Sequence, residues 1–120
     1  MKVITLCGSV TKTPKPVWDK LAQALTLQGH VVMMVNVWGI RDYLHNDPKG
    51  QKEKKMLDDI HKKKISMSDL VYVLTLRDYI GESTSSEIAF AEQLNIPIIY
   101  NNYHEDDISR ICAELRSKPE

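Results

Sequence analysis

The sequence predicts an α/β fold: a three-layer, flavodoxin-like or Rossmann-like parallel sheet with helices on both faces. Two observations carry this. Four short apolar runs lack the in–out alternation of a strand wetted on one side, so each reads as buried on both faces. Amphipathic stretches separate them, and a βα unit repeated four times requires crossover connections. Right-handed crossovers leave few topologies, and the strand order 2-1-3-4 is expected.

The first strand covers residues 2–7 and stops at the Gly8-Ser9 turn. Pro14 and Pro16 open a helix, where the first turn tolerates proline. Trp18, Leu21, Ala22 and Leu25 recur at i, i+3, i+4 and i+7 and give it one buried face, with Gly29 as its C-terminal stop. Residues 30–37 hold Val31-Val32-Met33-Met34-Val35 and read as a second buried strand. Residues 39–51 have no clean period. They carry the turn signal Asn46-Asp47-Pro48-Lys49-Gly50 and read as a long loop of the functional kind.

A helix over residues 52–68 offers Met56, Leu57, Ile60 and Met67 to the core. Seven lysines between Lys49 and Lys64 read as its solvated face. Residues 69–75 form the third strand. Residues 87–94 form a helix that Asn95 ends, and residues 96–100 the fourth strand. Ile108, Ile111, Cys112 and Leu115 mark a last amphipathic helix. No repeat or linker interrupts residues 1–120, which read as one domain.

Composition narrows the function. Sixteen basic residues balance sixteen acidic ones, which gives no electrostatic support for nucleic-acid or anionic-membrane binding. No apolar run approaches the roughly 18–20 residues of a membrane span. Cys7 and Cys112 are the two cysteines, and neither sits in a C-x-x-C pair, so a disulfide scaffold and a cysteine-rich zinc site are not expected. A cytoplasmic setting follows.

Ligands of such sheets bind at the carboxyl ends of the strands, where the strand order switches. Three segments converge there: Gly8-Ser9, Val37-Trp38-Gly39 and Tyr79 to Glu87. Gly8-Ser9 is neither a dinucleotide fingerprint nor a P-loop. It offers a backbone NH and a hydroxyl, or it is a plain strand-to-helix turn. Gly81-Glu82-Ser83-Thr84-Ser85-Ser86-Glu87 offers hydroxyls and free NH groups to an oxyanion at a helix start. As a local device, Thr84-x-x-Glu87 is also a capping box. Trp38 and Tyr79 are loop aromatics that either stack on a base or cap the core. Asp58 and His61 share a helix face, so Asp58 is placed to set the tautomer of His61. No third ligand lies at metal-binding spacing.

With these residues in view, the sequence resembles the nucleoside 2-deoxyribosyltransferase superfamily, above all its small members such as the 2'-deoxynucleoside 5'-phosphate N-hydrolases. Leu6-Cys7-Gly8-Ser9 matches the family's opening strand and turn. Ser83-Thr84-Ser85-Ser86-Glu87-Ile88-Ala89-Phe90-Ala91 matches its nucleophile segment, G-x-x-x-E-[IL]-x-x-A, with Ser83 in place of the glycine. The resemblance spans residues 2–101. It implies cleavage or transfer of an N-glycosidic bond in a nucleoside or nucleoside 5'-monophosphate, with Glu87 as the nucleophile. His61 stands at the position of the family acid–base aspartate, with Asp58 one turn earlier. Gly8, Ser9, Trp38, Tyr79, Gly81, Ser83 and Thr84 are then the substrate-binding residues. The arginines that grip phosphate in the hydrolases are absent, and Lys12 and Lys15 are the nearby substitutes. The resemblance also implies a homodimer that needs no cofactor or metal. Two other readings compete: a nucleotide-binding or sensing domain that kept the pocket and lost the reaction, and a phosphoribohydrolase of the lysine-decarboxylase-like group. Missing glycines in residues 81–87 argue against the last.

Overall fold

A computed structural model describes residues 1–117, with side chains to Glu114. Its elements are β1 (Val3–Gly8), α1 (Lys15–Leu27), β2 (Val31–Met33), α2 (Arg41–Asn46), α3 (Pro48–Ser66), β3 (Leu70–Leu76), α4 (Glu82–Gln93), β4 (Ile98–Tyr103) and α5 (Glu105–Ser117). The strands form one sheet of order β2-β1-β3-β4, and every pairing is parallel. The fold is therefore the three-layer flavodoxin-like or Rossmann-like arrangement that the strand pattern predicts.

Side-chain alternation sorts the core into two layers. Ile4 and Leu6 of β1 and Leu70 and Leu74 of β3 join Val17, Trp18 and Leu25 of α1 and Ile111 of α5. Their neighbours in sequence, Cys7, Val71 and Val73, turn to the opposite face and meet Ile65 of α3 and Ala91 of α4. A period-2 strand between two helix layers must divide its residues in this way. The second layer carries the chemistry.

Several expectations change here. The second strand is short: β2 holds three residues on an edge, bonded to β1 alone, and Val31 is exposed. The expected loop at residues 39–51 contains α2 and the start of α3. Its turn signal is a helix start. The Asp47 side chain accepts hydrogen bonds from the NH groups of Lys49 (2.8 Å) and Gly50 (3.3 Å), and Pro48 takes the first helical position. On α3 the core face is not the expected one. Met56, Ile60 and Met67 are exposed, whereas His61 and Ile65 are buried and Leu57 is half-buried. β4 begins at Ile98 and extends to Tyr103. The side chain of Leu115 lies outside the described residues. Among the described residues no helix is long and apolar enough to cross a membrane.

Three glycine and asparagine positions hold as local necessities. Gly29 (φ +91°) and Asn95 (φ +57°) follow α1 and α4 in the left-handed region, and the next NH groups, of His30 and Ile96, close back on Leu25 O and Ala91 O. Gly50 has a different reason. A Cβ there would lie 2.0 Å from the carbonyl oxygen of Tyr43, at the contact between α2 and α3. Gly50→Ala is expected to cost about 2 kcal/mol by prying α2 from α3. A urea midpoint within error of wild type would mean that α2 is not docked in solution.

Candidate functional site

β1 ends with Cys7 turned toward the α3–α4 layer, and its close fit against β3 depends on the next residue. A Cβ at Gly8 would stand 2.6 Å from the carbonyl oxygen of Leu74. Glycine therefore lets β1 run flush with β3 at the point where the strand order switches. Cys7 Sγ lies 3.4 Å from Nε2 of His61, which reaches down from the C-terminal half of α3. The same Nε2 is 3.3 Å from Oε2 of Glu87 on α4. Three segments that are remote in sequence thus place a thiol, an imidazole and a carboxyl group in one buried cluster. The donor atoms all lie within 4.8 Å of one another.

Burial sets the protonation of this cluster. Side-chain exposure is 9% for His61 and 13% for Glu87. Desolvation raises the Glu87 carboxyl from 4.5 to about 8, and the Asp58 charge adds to the rise against Lys62 and Lys54. Desolvation lowers His61 from 6.5 to about 4, helped by Lys64 and opposed by Asp58. Burial also pushes the Cys7 thiol up, and Glu87 adds to that. At neutral pH the imidazole–carboxyl pair therefore holds one transferable proton, on Glu87. Two atoms in it lack a hydrogen-bond partner among the described residues: Nδ1 of His61 and Oε2 of Glu87, which lies 3.3 Å from Nε2.

The predicted residues divide into those at this cluster and those around it. His61 and Glu87 are brought together. Asp58 is near enough to shift both groups, but its carboxylate pairs with Lys54 Nζ at 2.9 Å and does not bond to His61. The expected tautomer-setting hydrogen bond is absent, because Asp58 is half-exposed and a lysine one turn earlier claims it. Lys54 also reaches the Ser83 hydroxyl at 3.4 Å and so bridges α3 to the start of α4.

The expected capping box is not formed. α4 starts at Glu82 with Gly81 as N-cap and no side-chain cap. Thr84 is buried inside the first turn, and Glu87 falls in the second turn. That shift turns Glu87 inward from the helix end and frees it from a capping role. Ser9 is engaged locally: its Oγ accepts from the Lys12 NH at 3.1 Å and lies 3.0 Å from the Thr11 hydroxyl. Trp38 packs edge-on against Trp18, with ring centroids 5.6 Å apart, and Lys15 Nζ sits over its ring at 5.8 Å.

Tyr79 is carried on a tight turn in which Arg77 and Asp78 both take left-handed φ values, 50° and 61°. Tyr79 NH bonds back to Leu76 O at 2.9 Å, as a type I′ turn requires. Asn102 Oδ1 holds the turn by accepting from Thr75 Oγ1 and Asp78 NH, both at 2.8 Å. Lys12 Nζ then lies 5.6 Å from the Tyr79 ring centroid, so the loops after β1 and β3 converge as the topology requires.

The residue that sequence reasoning missed is Cys7. It stood in an apolar run where its type suited a core strand, and its partner His61 lies 54 residues away. A concavity of about 440 Å³ lies elsewhere, on the outer face of α3 beside Met56 and Ile60. A second, of about 260 Å³, lies between α1, Tyr103 and α5. Neither is lined by Cys7, His61 or Glu87. The chain matches no protein-family model, and no curated protein matches it in sequence.

Proposed function

We propose that the protein cleaves or transfers the N-glycosidic bond of a nucleoside or nucleoside 5'-monophosphate, with Glu87 as nucleophile and His61 as the proton carrier. The observation that supports it is the 3.3 Å contact between a buried carboxyl group and a buried imidazole at the strand-order switch. The resemblance of residues 2–101 supplies the substrate class.

The contact suggests a balanced reaction. Glu87 passes its proton to His61 Nε2. The carboxylate attacks C1' as oxocarbenium character builds, and the imidazolium protonates the departing base. A glycosyl ester on Glu87 results. Water then attacks C1', giving its proton to His61 and the ester oxygen back to Glu87, or a second base takes the sugar. Lys12 beside Tyr79, and Lys54 with Ser83 at the start of α4, are the groups that would meet a phosphate or sugar in this reading. A 5'-phosphate is expected to raise kcat/KM by roughly 10–100-fold. The same reading makes the protein a cytoplasmic homodimer.

Incubation with a panel of deoxynucleosides and their 5'-monophosphates, scored for free base, tests the proposal. Release of base supports it. Tight binding of a nucleotide without turnover would move the assignment to a sensing domain. The pH profile is a sharper check. The reactive pair needs one proton, so kcat/KM is expected to fall above about pH 8, where Glu87 loses it, and below about pH 4, where His61 gains a second. A rate that keeps rising beyond pH 9 would show that no proton on the pair is required.

A further inference from the structure

We propose that Cys7, His61 and Glu87 form a binding site for one divalent transition-metal ion, with Zn²⁺ as the ion that fits. The edges of the cluster carry the argument. Tetrahedral zinc with bonds of about 2.3 Å to sulfur, and about 2.0–2.1 Å to nitrogen and oxygen, has an S···N edge of about 3.5 Å and an N···O edge of about 3.3 Å. The edges here are 3.4 Å and 3.3 Å, and no donor pair exceeds 4.8 Å. Two of the three edges thus match those of a tetrahedral ion, and the third, from sulfur to the carboxyl oxygen, lies within 4.8 Å.

The donor chemistry agrees. A thiolate, an imidazole and a carboxylate are three ligand types that zinc accepts together, and three protein ligands leave the fourth position for water or a substrate atom. The site is also neutral when filled: one thiolate and one carboxylate balance a dication, which suits burial. Binding exchanges the ion for two protons, the thiol proton of Cys7 and the carboxyl proton of Glu87, which leave to solvent. The remaining ring proton of His61 sits on Nδ1. Glu87 Oε2 is moreover a buried carboxyl oxygen with no hydrogen-bond partner among the described residues, and an ion at this point would satisfy it. Surface features do not explain the cluster, since Cys7 is 1% exposed and His61 7% exposed.

The inference stands apart from the glycosidase reading. Where both hold, a bound ion occupies the carboxylate and Nε2 that the reaction uses, and Zn²⁺ suppresses base release.

The test is titration of the metal-free full chain with Co²⁺, followed by Zn²⁺. One equivalent of Co²⁺ is expected to give tetrahedral d–d bands and a thiolate-to-cobalt charge-transfer band, both removed by one equivalent of Zn²⁺. Cys7→Ser is expected to lose the charge-transfer band and to bind roughly 100-fold more weakly, while Cys112→Ser keeps both properties. Glu87→Gln, which preserves the shape of the side chain, is expected to weaken binding by at least roughly tenfold and covers the case in which Cys7→Ser fails to fold. An octahedral spectrum without charge transfer, or full affinity in either variant, would overturn the site. Cobalt bound through Cys7 in a chain that releases no base would keep this inference and remove the glycosidase reading.

Discussion

Glu87→Gln is expected to reduce base release by about 10³-fold or more and, in the same molecule, to make the fold more stable at alkaline pH. The first effect follows because the amide cannot attack C1' or pass a proton to His61, and loss of a nucleophile commonly removes most of the rate. The second follows from burial. Glu87 titrates near 4.5 when the chain unfolds and near about 8 when it is folded. Between those values the unfolded chain binds fewer protons than the folded one. Stability therefore falls as pH rises from about 4.5 to about 8 and stays lower above that. The glutamine has no charge to bury. It should recover on the order of 2–4 kcal/mol at pH 8 and flatten the curve, with no gain at pH 4. Urea melts at both pH values, run with a chelator, measure this. If Glu87→Gln melts earlier than wild type at pH 8, Glu87 is a structural anchor. If base release survives within a few-fold, it is not the nucleophile.

Trp18→Ala is expected to lose about 3–5 kcal/mol of stability, the largest effect of any single truncation in the core. Trp18 is fully buried between α1 and the sheet, its indole NH donates to Thr13 O at 3.2 Å, and its ring edge bears on Trp38. A built Cβ at Gly8 would also come within 3.2 Å of it, so the ring holds the β1 turn in place from below. Removing it opens a cavity bounded by sheet and helix, neither of which can close the gap cheaply. Trp18→Phe should cost less, since it keeps most of the apolar volume. A loss under about 1 kcal/mol for the alanine variant would mean that this layer is loosely packed.

The sheet was legible in the sequence because parallel, doubly buried strands leave an unbroken apolar signature that needs no partner to be recognised. The order followed from connection rules. α2 left no such mark: it has six residues, no buried side chain and no side-chain cap. On α3 the apolar residues Met56, Ile60 and Met67 outlined a helical stripe, but the buried stripe runs through Leu57, His61 and Ile65. Counting His61 as polar hid a spacing of i, i+4, i+8. Once it is read as a core residue, the two lines differ by one position around the helix. The placement of Glu87 came from resemblance. Its contact with His61 could not come from spacing, because the end of α3, the whole of β3 and the start of α4 lie between them. Cys7 was hidden by its own suitability for a buried strand.

The three-residue edge strand has a consequence for how the molecule breathes. β1 and β3 have a bonded neighbour on each side, whereas β2 is tied to β1 through three register pairs and has none beyond it. Amide protons of β1 and β3 should exchange only with global unfolding, and those of β2 through cheap local opening. Cys7 pairs with Val73 of β3, beyond the three β2 pairs, whereas Trp38 is delivered by the chain that leaves β2. The cluster and the aromatic wall beside Trp18 therefore belong to different cooperative units. The wall can swing out and return many times within the lifetime of the folded sheet, leaving the distances among thiol, imidazole and carboxyl unchanged.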